Sequence, residues 1–99
     1  MGKPQLGQIA SVLQGRDAPN YAVIVGIVDS RFVLIADGNK RKFDQPKKKN
    51  ILHLKLFNEV NREVEDSLRE TGRVTNGKLR FALNKFQENQ EHEAQERGE

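Results

Sequence analysis

Six cations fall within ten residues: Lys40, Arg41 and Lys42 follow the turn formed by Asp37, Gly38 and Asn39, and Lys47, Lys48 and Lys49 follow Gln45 and Pro46. Asp44 is the one acid between them. Folding so many like charges together costs free energy through self-repulsion, and a bound polyanion relieves it. Lysines without neighbouring aromatics act as point charges on phosphate and carry little base information. Proline fixes its own φ and holds the link between the two clusters extended. The plainer alternative is a solvated loop kept soluble by lysine. A second constellation, Gly15, Arg16 and Asp17, opens an earlier loop, where glycine lets the backbone approach a phosphate and arginine supplies a planar, bidentate donor.

Catalytic chemistry finds no comparable set. No Ser, His and acid group has the spacing of a triad, and no glycine-rich phosphate loop occurs. His53 and His92 are isolated from any paired ligand, and the chain has no Cys, so no metal, disulfide or thiol nucleophile is expected. No cofactor is expected either. Asp29, Asp37 and Asp44 fall at turns, where aspartate bonds its own backbone. Tyr21 and Phe43 stand near the basic segments and are the two aromatics placed to stack on a base, although packing accounts for both. Phe32, Phe57, Phe81 and Phe86 fit strand or helix patterns that need core residues.

These residues must be held by a small body. Ninety-nine residues allow one domain, and two-lobed enzyme clefts are excluded by size. Apolar residues make up 35% of the chain and charged residues 31%, so part of it folds and part lacks the apolar surface to do so. The longest apolar run, residues 21–28, is far shorter than the roughly 20 residues of a membrane span. The first residues lack the apolar core of a secretory signal, and a cytoplasmic protein is expected.

The net charge of +3 conceals a division. Residues 1–50 carry nine Lys/Arg against four Asp, residues 51–86 carry seven against five acids, and residues 87–99 carry one Arg against five Glu. The expected folded body is thus +7, and a tail of −4 masks it.

Residues 7–56 have the texture of short strands and tight turns. Strands are expected at residues 9–13, 21–28, 32–36, 41–43 and 51–56, with Gly26 marking a bulge. Five strands in about fifty residues fit a small barrel that curls to hide its edges. The period then changes. Phe57, Val60, Val64 and Leu68 share one face of a helix, stopped by Gly72. Thr75 caps a second helix that presents Leu79, Ala82, Leu83 and Phe86, with Val74 placed for a hydrophobic staple onto Leu79. Residues 87–99 hold one apolar residue, Ala94, and are expected to be a disordered tail or a frayed helical extension.

The blocks Gly7 to Val12 with Gly15, Arg16 and Asp17, then Val23 to Val25 with Val28 and Asp29, then Val33 to Gly38, resemble the KOW motif. Residues 7–56 are similar to the KOW domain of large-subunit ribosomal proteins of archaea and eukaryotes. With Pro46 to Asn50 and His53, they are closer still to short bacterial KOW-domain RNA-binding proteins, whose helical part resembles Arg73 to Asn76 and the helix after it. Pro19 departs from the family, which commonly has a second glycine there. The resemblance implies a mainly β fold with C-terminal α, in which an SH3-like five-stranded barrel over residues 4–56 precedes a two-helix hairpin over residues 57–86. It also implies RNA as partner, ribosomal RNA above all, in the translation machinery. The expected contacts are Gly15, Arg16, Lys40, Arg41, Lys42, Lys47, Lys48 and Lys49, in a non-catalytic protein that is monomeric when free and binds no membrane. The alternative is a protein-interaction module docking on ribosomal proteins or the transcription apparatus. A third reading, a DNA-binding helix-turn-helix, would use Lys78, Arg80 and Lys85.

Overall fold

A computed structural model of the chain describes residues 3–13 and 20–97, the last seven as helix backbone. Five strands come first: β1 (Gln8–Val12), β2 (Asn20–Ile27), β3 (Phe32–Ala36), β4 (Lys47–Asn50) and β5 (Leu54–Val60). Helices α1 (Arg62–Thr71) and α2 (Asn76–Arg97) follow. The strands form one antiparallel sheet in the order β4, β3, β2, β1, β5. It is an open sheet with β4 and β5 at its edges, joined in sequence by a 3₁₀ turn at Ile51–His53.

Both faces of the central strands are buried, which is why β1 and β2 read as apolar on both parities. One face carries Ala10, Val12, Ala22, Ile24, Val33, Ile35 and Leu54 as a core of their own. The other carries Ile9, Val23, Val25 and Ala36, covered by Val64 and Leu68 of α1 and by Leu79, Ala82, Leu83 and Phe86 of α2. The ring of Phe86 meets those of Phe57 and Tyr21 at centroid distances of 4.8 and 5.5 Å. Tyr21 is therefore a packing residue, and Phe43 also lies against this core. The register of β2 on β3 shifts between Ile24 and Gly26, which is the bulge expected at Gly26.

Several sequence expectations change. Residues 41–43 form no strand, because Asp37 and Gly38 close a tight turn on the carbonyl of Arg41. The fourth strand is Lys47–Asn50, which pairs with β3 from Ile35↔Lys47 to Phe32↔Asn50. Phe57 and Val60 belong to β5 rather than to the first helix. Pairing of β5 with β1, down to Gln8↔Val60, outweighs a four-residue periodicity. The helix begins only after Asn61, whose side chain accepts the Val64 N–H at 3.0 Å as its N-cap. Phe81 is not in the core, since the residue is 60% exposed.

The helix ends follow the sequence closely. Gly72 terminates α1 at φ +76°, and its N–H donates to the Leu68 carbonyl. The Thr75 hydroxyl accepts the Lys78 N–H at 3.1 Å, and Val74 and Leu79 are buried in the same core. Beyond Phe86 the described chain continues as helix to Arg97. Gln, Glu and Ala have high helix propensity, and prolonging a nucleated helix is far easier than starting one. Among the described residues no helix is long and apolar enough to cross a membrane.

Candidate nucleic-acid interface

Alternation along β4 divides the lysine triplet. Residues paired across antiparallel strands point to the same face. Lys47 and Lys49 pair with the buried Ile35 and Val33, and Lys48 pairs with Leu34 on the opposite face. There the Lys48 Nζ sits 4.7 Å from the centre of the Phe32 ring, a cation–π contact. Lys47 and Lys49 instead line a groove shared with Lys40 and Arg41, whose walls include Asn20, Tyr21 and Asp37. Four cations separated by up to nine positions in the chain thus converge on one concavity. Lys42 is exposed but does not line it.

The turn that brings Lys40 and Arg41 to the groove is built by the aspartate and the glycine before them. The Asp37 carboxylate accepts the N–H groups of Asn39 and Arg41 at 2.7 and 2.9 Å. Gly38 has φ +79°, and a Cβ there would collide with the backbone carbonyl of Asn76. Only glycine allows the turn to lie this close to the start of α2. Two bonds from α2 complete the mooring: Arg80 Nη1 donates to the Gly38 carbonyl at 2.6 Å, and Asn76 Oδ1 accepts the Phe43 N–H at 2.8 Å. The sequence contained both residues, but nothing in their spacing tied a helix to a turn some 40 positions earlier.

A second concavity of about 480 Å³ continues from the first across Asn20, Tyr21, Asp37 and Lys40 to Arg80, Asn84 and Gln87. The basic surface therefore extends from β4 onto α2. Among the described residues Asp37 is the one acid lining the first groove, and its Oδ1 is already occupied by backbone donors. The arrangement suits a chain of phosphates lying along the groove, with lysines neutralising charge and Arg41 and the asparagine amides supplying directional donors. Gly15, Arg16 and Pro19 lie outside the described residues. Val12 and Asn20, which pair at the end of the β1 and β2 ladder, both line the groove.

No family model matches the chain. Among curated proteins, it is similar to one from Bacillus subtilis (strain 168) named "Putative ribosome-binding protein YbzG", with 51% identity over 71 residues. The match covers 72% of this chain and 96% of that relative.

Proposed function

As a member of the same family as that Bacillus subtilis protein, this chain is one that we propose to be an RNA-binding protein of the cytoplasmic translation machinery. It docks on structured ribosomal RNA and carries no catalytic activity. The observation that carries the reading is the convergence of Lys40, Arg41, Lys47 and Lys49 on one groove. The relative's name supports the ribosome as the target, and the resemblance of residues 7–56 to KOW domains supports RNA as the component touched. The strand order with β1 between β2 and β5, and the 3₁₀ turn leading into β5, support an SH3-like reading of the sheet.

The groove residues position the RNA backbone rather than read its bases. Neutralising about three to five phosphates gives a plot of log affinity against log salt with a slope magnitude of roughly 2 to 4. A salt titration of binding to purified ribosomal RNA tests this, and affinity independent of salt would overturn it.

A second reading is favoured by one observation: Leu13 and Leu52 are 54% and 78% exposed, and the Leu13 N–H bonds the carbonyl of His53 beside Leu52. This apolar pair would seat a ribosomal protein next to the RNA, making the chain an adaptor. Ribosome binding that survives reversal of the four groove cations but fails on Leu13→Asp with Leu52→Asp would establish that reading in place of the first.

A further inference from the structure

The outer face of α2 presents an aromatic ring among cations. Phe81 is 60% exposed, while Leu79, Ala82, Leu83 and Phe86 fill the core beneath the helix. Lys78 and Lys85 stand at i−3 and i+4 from Phe81 and are therefore its neighbours on the same face. They are two turns apart, about 10 Å, with the ring between them. Both are exposed, as is Arg80, and over residues 76–90 the one acid is Glu88.

This face calls for a different partner from an apolar docking patch. The helix positions around the ring are Gly77, Lys78, Asn84 and Lys85, so on α2 itself a protein partner would find one exposed apolar side chain ringed by polar positions and glycine, with Val60 as an apolar neighbour in the adjoining groove. An unpaired nucleotide needs only that: one π face for the base and cations for the flanking phosphates. From Phe81 a groove of about 570 Å³ runs to the junction of β5 and α1, lined by Val60, Asn61, Lys85 and Asn89. Glu59 and Glu63 also line it and repel phosphate, so the nucleic-acid backbone follows the lysines of α2 while a base turns toward the ring. Arg80 connects the two surfaces, because it borders the concavity that also contains Lys40.

We propose that the outer face of α2, centred on Phe81 between Lys78 and Lys85, is a second RNA contact that stacks an unpaired base. The groove of Lys40, Arg41, Lys47 and Lys49 holds the RNA by its phosphates. The helix face then favours RNA with unpaired nucleotides over continuous duplex. This rests on the RNA-binding reading above.

The test compares a short hairpin RNA with an unpaired adenine-rich loop and a blunt RNA duplex of equal length. Phe81→Ala should weaken hairpin binding about tenfold, the scale of one lost stacking contact, and leave duplex binding unchanged. Since the chain contains no Trp, Phe81→Trp introduces a single reporter. Its emission should be quenched by the hairpin and not by the duplex. Unchanged hairpin affinity in Phe81→Ala, equal losses for both RNAs, or unquenched emission in a bound Phe81→Trp complex each overturn the proposal while leaving the groove reading in place. Failure of the unmodified protein to bind either RNA overturns both.

Discussion

Arg80 of α2 donates from Nη1 to the carbonyl oxygen of Gly38 at 2.6 Å, joining the helix to the turn that carries Lys40 and Arg41. A helix that packs on one face of the sheet thereby fixes the shape of a groove at the sheet's edge. The coupling has a direct consequence for Arg80→Ala: stability should fall by about 1 kcal/mol, the worth of one such bond, and RNA affinity should fall several-fold as the turn loosens. Arg80→Lys keeps the charge but loses the planar donor set, so it should recover only part of the affinity. Urea unfolding and RNA titration on the same samples separate the two effects.

Gly38→Ala should be more damaging than its size implies. The residue has φ +79°, and the added methyl meets the Asn76 carbonyl at the start of α2. A loss of about 2 kcal/mol is expected from the backbone conformation and the contact together. Thermal or urea unfolding measures it.

Asn61→Ala removes the N-cap of α1, whose side chain accepts the Val64 N–H. About 1 kcal/mol should be lost, whereas Asn61→Asp should retain most of it by preserving the acceptor. Far-ultraviolet circular dichroism during urea unfolding reads both variants.

Asp29 provides a pH-dependent contribution. Its carboxylate accepts the N–H groups of Arg31 and Phe32, both at 2.8 Å, in the turn between β2 and β3. These bonds hold its carboxyl below the ordinary aspartate value, aided by the charges of Lys48 and Arg31 and opposed by slight desolvation. The folded state thus binds protons more weakly than the unfolded state, and stability from this turn is present above the ordinary aspartate range. It disappears as pH falls through the lowered folded value. The difference in urea midpoint between the unmodified protein and Asp29→Ala should therefore be greatest above about pH 5 and shrink toward pH 2.

Removing residues 88–99 deletes five Glu and one Arg from the end of the chain. Nonspecific RNA affinity should rise, and more so at low ionic strength, where charges beyond direct contact act over a longer range. Identical affinity at low salt with and without the extension would refute its electrostatic role.

Much of the scaffold was legible because local rules govern it. Thr75 and Gly72 mark the helix ends through their own side-chain and backbone chemistry, and Gly26 marks the bulge. Phe57 and Val60 fit a helical spacing because three- and four-residue spacings are local, whereas the pairing of β5 with β1 spans about fifty positions. Phe81 shows the same limit. Apolar character alone assigns it to the core, yet the geometry of α2 turns Leu79, Ala82, Leu83 and Phe86 inward and leaves its ring outside. The basic cluster was visible in composition, but its division was not. Only the register of β4 on β3 separates Lys47 and Lys49 from Lys48, and β4 follows an irregular connection of ten residues. Lysines on an edge strand also block further strand addition, a role that follows only once β4 is placed at the edge of the sheet.

That division offers the most direct test of the groove. Lys48→Glu and Lys49→Glu change net charge equally at adjacent positions, but only Lys49 lines the concavity shared with Lys40, Arg41 and Lys47. The salt dependence of ribosomal RNA binding should lose about one unit of slope in Lys49→Glu, the signature of a lost phosphate contact. In Lys48→Glu the slope should match that of the unmodified protein. Equal loss of slope in the two variants would contradict the assignment of RNA binding to the groove.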